Sequence, residues 1–108
     1  MSSKIYGLIG LATKAGKIVS GEEGCEKALK RGSVKLVLVA QDASDNTKNS
    51  FLNMCKYRGV DLRIFGEKDL LGKYAGKAMR AVVGILDENF ARQLIRLIDN
   101  QNSGTGGV

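Results

Sequence analysis

Apolar residues recur along the chain in two distinct rhythms. Ile5, Leu8, Ile9 and Ala12 stand three and four apart, which predicts an amphipathic helix over 3–15 ending near Gly16. Ile18-Val19 is a short strand candidate. Ser20, followed three places later by Glu23, has the pattern of a capping box, and Cys25, Ala28 and Leu29 give the next helix its inner face, with Gly32 as its stop. Val34 to Ala40 is nearly all apolar and rich in β-branched residues, as expected of a central strand buried on both faces. Ser44 or Asp45 can cap a third helix with Phe51, Leu52 and Cys55 inward and Gly59 at its end. Val60, Leu62 and Ile64 alternate with Asp61 and Arg63, a strand with one wetter face. Glu67 to Tyr74 reads as a short helix and Ala81 to Leu86 as another buried strand. Phe90, Leu94, Leu97 and Ile98 define the last helix.

Helices alternating with four strand candidates predict an α/β protein, a three-layer α/β/α sandwich around a small mixed four-stranded sheet. Residues 1–98 are expected to form a single domain. Residues 99–108, DNQNSGTGGV, offer little to pack and are expected to be a disordered tail.

Composition narrows the function more than the fold. The 108 residues suffice for a core without disulfide or metal staples. No apolar run approaches the roughly 20 residues of a membrane span, and the first sixteen residues are too polar for a secretory leader, so a cytoplasmic protein with no membrane partner is expected. Cys25 and Cys55 lack metal-site spacing and read as buried thiols. There is no histidine, which removes the usual general base and commonest metal ligand, so no catalysis, metal or cofactor is expected. The net charge of +6 favours a polyanionic partner without specifying its sequence.

Candidate chemistry lies in a few stretches. Gly10 to Lys17, GLATKAGK, imitates a phosphate loop but fails: its glycines are wrongly spaced, Ile18 replaces the magnesium-binding hydroxyl, and the preceding segment reads as helix. Asp42/Asp45 and Asp87-Glu88 sit at predicted helix starts, where acids complement the helix dipole. The region from Ser20 to Arg31 is more informative. A helix start offers free N–H groups, and with Cys25, Ala28 and Leu29 inward, Lys27, Lys30 and Arg31 must face solvent, with Lys17 near the same strand. The alternative is a solvated basic face. In Leu70 to Arg80, glycines bracket a loop in which Lys77 and Arg80 can reach phosphates and Met79 can cover an unstacked base. The alternative is an ordinary connection with Met79 half-buried.

Together these stretches resemble the kink-turn RNA-binding ribosomal-protein family (the L7Ae and L30e group), most closely its short YlxQ-like bacterial branch. The matching residues are Leu11 to Lys17, then Gly21, Lys27, Gly32 and Lys35 to Val37, then Leu71-Gly72, Ala75 to Lys77, and Arg80. The resemblance spans about residues 4–98. It implies an α/β/α sandwich without catalysis that binds structured, sharply bent RNA through sheared G·A pairs, with ribosomal RNA among its partners. Carried onto this sequence, the RNA-contacting turn falls on Gly21, Glu22, Glu23, Gly24 and Lys27, and the second contact loop on Lys77, Ala78, Met79 and Arg80. Glu23 and Gly24 depart from the family pattern: a carboxylate cannot donate to a base edge, and glycine removes a side-chain contact. The residue set expected to contact RNA is therefore those nine with Lys17, Lys30 and Arg31, acting in a monomer. The alternative is a protein–protein module on the same fold, in which Glu22, Glu23 and Glu26 meet a ribosomal or other protein partner.

Overall fold

A computed structural model describes the backbone of residues 2–106 and the side chains of residues 3–101. Its elements are α1 (Ser2–Lys14), β1 (Ile18–Ser20), α2 (Glu22–Arg31), β2 (Leu36–Val39), α3 (Asp45–Arg58), β3 (Asp61–Ile64), α4 (Lys68–Tyr74), β4 (Val82–Ile85) and α5 (Glu88–Gly106). The four strands form one mixed sheet in the order β1-β4-β2-β3. β2 and β3 are parallel, while β4 runs antiparallel to both β1 and β2. α2 and α3 pack against one face and against each other; α1, α4 and α5 pack together on the other. The expected three-layer sandwich is the observed one.

The layers follow from burial. Every residue of central β2 and β4 is buried, which is why these strands read as unbroken apolar runs. Each fully buried Leu, Ile or Val there contributes about 1.5–3 kcal/mol relative to exposure. Gly84 leaves a gap in the pleat of β4 that Val19 fills; a Cβ at position 84 would lie 2.8 Å from Val19 Cγ1. Ser44 caps α3 by accepting from the Thr47 N–H at 3.1 Å, and Asp87 caps α5 by accepting from the Phe90 N–H at 3.0 Å.

Several local expectations are corrected. The capping box at Ser20 does not form. Ser20 is paired with Val83 as the last residue of β1, and the cap is Gly21, without a side-chain bond. Leu52 is 47% exposed instead of facing inward, because Phe51 and Cys55 already fill the contact with the sheet. β3 shows no clean alternation: Leu62 and Arg63 are both half-buried and Ile64 is exposed. It is an edge strand with β2 as its sole neighbour, and Arg63 is held against the fold by Asp99. Asp42 does not serve α3; it accepts from the Lys68 N–H at 2.9 Å and caps α4.

The last helix runs past the end expected at residue 98, to Gly106. Asp99 accepts from Arg63 Nε at 2.8 Å and Nη2 at 3.0 Å, so the beginning of the expected tail is tied to the sheet edge. Residues 107–108 lie outside the described residues.

Candidate nucleic-acid interface

Strand pairing decides which loops meet. Ser20 stands opposite Val83, while Val39 stands opposite both Val82 and Ile64. The chain leaving β1, β2 and β3 and the chain entering β4 therefore converge at one end of the sheet. The two stretches singled out in the sequence, some sixty positions apart, are neighbours there.

The first wall of the site is the start of α2. Gly21 has φ 90° and ψ 156°, a combination essentially reserved for glycine. This lets its N–H donate to Val82 O at 2.8 Å while its carbonyl accepts from the Cys25 N–H at 3.0 Å. A helix leaves its first N–H groups without intrahelical partners. With the Gly21 N–H bound to β4 and no capping side chain, the donors of Glu22, Glu23 and Gly24 remain for an outside acceptor. Gly24 also has a packing role, since a Cβ there would meet Val19 Cγ2 at 3.1 Å. The residue that departs from the family pattern lets α2 lie close on β1.

The second wall is the loop from Lys77 to Arg80. Gly72 is buried in α4, and a Cβ there would overlap the Ala78 carbonyl. The bare helix surface lets the loop lie down, held by Lys77 N–H to Gly72 O at 2.8 Å and Arg80 N–H to Lys68 O at 2.9 Å. Arg80 Nη1 donates to Met79 O at 2.8 Å, and its Cδ and Nε stand 3.8 Å from where a Gly21 Cβ would be. The guanidinium thus reaches across to the helix start. Met79 is 60% exposed, so the half-buried alternative does not hold.

Between the walls is an open cleft of about 430 Å³ lined by Ser20 to Gly24 and by Met79 to Ala81. It offers backbone donors, one guanidinium and one exposed thioether. Of the remaining expected contacts, Lys27 lies one turn into α2 and pairs with Glu23 at 3.5 Å; Lys77 and Ala78 are exposed on the loop. Lys30 pairs with Glu26 at 3.2 Å and, with Arg31, occupies the last turn of α2, about 15 Å from its start. Lys17 lies at the other end of the sheet, its carbonyl accepting from the Leu86 N–H. The structure brings Gly21, Glu22, Glu23, Gly24, Met79 and Arg80 together and leaves Lys17, Lys30 and Arg31 outside.

Two links between elements at this end have no signal in the sequence. Thr47 donates to Glu22 Oε2 at 3.3 Å and receives from Ser44 Oγ at 3.0 Å, linking the starts of α2 and α3. Asp42 and Lys68 join through the α4 cap. Only strand pairing makes these residues neighbours.

The thiols are inert by environment. Burial pushes Cys25 up to about 12 and Cys55 up to about 11, so both stay protonated at neutral pH. Among the described residues, no cluster of His, Cys, Asp or Glu could hold a metal ion, and no helix is long and apolar enough to cross a membrane.

One end of a covered mixed sheet thus presents backbone donors, a guanidinium and an exposed thioether around an open cleft. The chain belongs to the ribosomal protein L7Ae/L30e/S12e/Gadd45 family, whose model matches residues 3–95. It is 39% identical over 94 residues to the RNA-binding protein YlxQ of Bacillus subtilis (strain 168), covering 87% of this chain and 94% of that one. It is 31% identical over 85 residues to the large ribosomal subunit protein eL8 of Cenarchaeum symbiosum (strain A), covering 78% and 68%. Among solved structures, a protein of unknown function from Bacillus halodurans C superposes with a TM-score of 0.85 at 38% identity, covering 89% and 97%. The Giardia lamblia 15.5kD RNA binding protein shares the fold, with a TM-score of 0.76 at 22% identity, covering 91% and 87%.

Proposed function

We propose that this chain is a non-catalytic RNA-binding protein. It receives a sharply bent, kink-turn-like RNA in the cleft between the start of α2 and the Lys77–Arg80 loop, within a ribosomal or other ribonucleoprotein assembly of the cytoplasm. The observation that carries the reading is the convergence of three open N–H donors with Arg80 and Met79. The donors suit base edges or phosphate oxygens, Arg80 a phosphate, and Met79 the face of an unstacked base. The RNA-binding relative aligned over nearly all of its length supports the same ligand class. The protein–protein alternative has less support: Glu22, Glu23 and Glu26 make exposed, displaceable contacts with Thr47, Lys27 and Lys30, and the relative aligned over nearly its whole length is named for RNA binding, not for a protein partner.

Titrating a labelled kink-turn RNA and a straight duplex of equal length, at two salt concentrations, tests this. The kink-turn should bind more tightly, and Arg80→Ala should weaken it about tenfold, the size of a charge-assisted contact. Equal affinity for both RNAs would remove the kink-turn claim. No binding to either at low salt would remove RNA binding.

A further inference from the structure

The net positive charge is not where the cleft is. At the cleft end of the sheet stand the acids Glu22, Glu23, Asp42, Asp45, Glu67 and Asp69. They offset Lys27, Lys48, Lys68, Lys77 and Arg80 on the same side. The far end, where α2 and α3 finish and β2 and β3 begin, carries Lys17, Lys30, Arg31, Lys35, Lys56 and Arg58. Opposing them are Glu26, Asp61 and, at the start of α5, Asp87 and Glu88, the last paired with Arg92 at 3.3 Å. Of the charges at these two ends of the sheet, the cationic excess therefore lies at the far one, about 15 Å from the groove the family likeness indicates.

That far end also has a cleft, of about 550 Å³, lined by Leu29, Gly32, Val34, Lys35, Tyr57 and Arg58 with Gly59 to Asp61. Tyr57 stands on its rim with 86% of its surface exposed, the most exposed of the large apolar side chains described. Arg58 sets its guanidinium 5.8 Å from the Tyr57 ring centre. Cations at helix ends are ordinarily explained by the helix dipole. That explanation covers Lys30, Arg31, Lys56 and Arg58 but not a tyrosine ring standing in water, which contributes nothing to the core and exposes apolar area. An exposed aromatic ring with Arg58 beside it and Lys35 in the same cleft is an arrangement that takes an unpaired nucleotide, base on the ring and phosphates on the cations. Lys27, Lys30 and Arg31, spaced three and four apart on the solvent face of α2, connect this cleft with the first one. Lys27 and Lys30 are held by exposed i,i+4 pairs that a phosphate can displace, and Arg31 has no ion pair among the described residues.

We propose that this far cleft is a second RNA contact: a single strand leaving the bent RNA runs along the outer face of α2 and stacks an unpaired base on Tyr57. The inference rests on the RNA-binding reading above and adds a site that reading does not need.

The test compares a blunt kink-turn RNA with the same RNA extended by about ten unpaired nucleotides, binding the full chain and its Tyr57→Ala, Tyr57→Phe and Arg80→Ala variants. For the unaltered chain the extension should raise affinity about five- to hundredfold, the range of a base stacked on an aromatic ring. Tyr57→Ala should lose that gain, Tyr57→Phe should keep it, and both should bind the blunt RNA as before. Photo-crosslinks from 4-thiouridine in the extension should map to residues 56–61 or 31–35. No gain from the extension, an equal gain in Tyr57→Ala, or crosslinks elsewhere would overturn the second site. If Arg80→Ala binds the blunt RNA normally while Tyr57→Ala still abolishes the gain, the first cleft is refuted and the second stands. Since Tyr57 is almost wholly exposed, a melting temperature equal to the parent's is expected and separates lost contact from lost fold.

Discussion

Replacing Gly72 with alanine sets two effects of opposite sign against each other. Gly72 lies inside α4, where alanine is favoured by about 1 kcal/mol over glycine on backbone entropy. The added methyl, however, would occupy the place of the Ala78 carbonyl and press on Met79 Cα, which are backbone atoms that no rotamer change can move aside. Either the helix and loop absorb the overlap, at about 1–3 kcal/mol for overpacking, or the loop lifts away. Lifting would break Lys77 N–H to Gly72 O and Arg80 N–H to Lys68 O, at about 1 kcal/mol each. The overlap is too deep for the cheaper end of either range. After the helix gain is subtracted, the expected net effect is destabilisation by about 1–2 kcal/mol, a fall in melting temperature of roughly 4–9 °C for a chain of this size. Gly7 provides the control. It is a helical glycine on the exposed face of α1 with nothing near its would-be Cβ, so Gly7→Ala should stabilise by about 0.5–1 kcal/mol. Thermal and urea unfolding followed by circular dichroism give both values. A Gly72→Ala protein as stable as Gly7→Ala would refute the claim that Gly72 seats the loop.

Other consequences can be checked in solution. Arg63 holds the Asp99 carboxyl below its ordinary value, so the pair stabilises the fold above the usual carboxylate range and is lost as pH falls through the lowered value. Asp99→Asn should therefore cost at most about 1 kcal/mol at neutral pH, the carboxylate being half exposed, and nothing in acid; a cost persisting in acid would disprove the pairing. Both thiols are raised by burial, so the unfolded chain releases their protons first as pH climbs. Stability should be unaffected by them below about 8.5 and then fall by about 1.4 kcal/mol per pH unit for each thiol, until about 11 for Cys55 and about 12 for Cys25. A double Cys→Ala variant, whatever its baseline, should lack that alkaline slope, and thiol labelling of the native chain should wait on unfolding. Glu23→Gln removes the carboxylate beside the open N–H donors and frees Lys27, so it should tighten kink-turn binding several-fold; weaker binding would show that Glu23 helps hold the RNA.

The fold was largely readable in advance because its signals are local. Val34 to Ala40 and Ala81 to Leu86 read as doubly buried strands since their burial is nearly uniform, and Gly32 and Gly59 read as helix stops because both take the left-handed backbone the ends require. The misreadings occur where a distant partner overrode a local rule. Ser20 looked like a cap until strand pairing with Val83 claimed its backbone. Leu52 looked buried by spacing alone, and Asp99 looked like tail until Arg63 was beside it.

The candidate site divides the same way. The sequence by itself determined which residue types were available: a helix start near Ser20 to Gly24, a small-residue loop with Met79 and Arg80, a cationic excess, and no histidine. Tertiary structure decided which of them act together. The antiparallel pairing of β1 with β4 brings Gly21 to Arg80, and the missing side chain at Gly72 lets the loop close on α4. The direction of α2 carries Lys30 and Arg31 away from that cleft, toward Tyr57 and the far end. A run of lysines is a property of the chain, but the end of the sheet at which its charge accumulates depends on where each helix starts and stops relative to the strands.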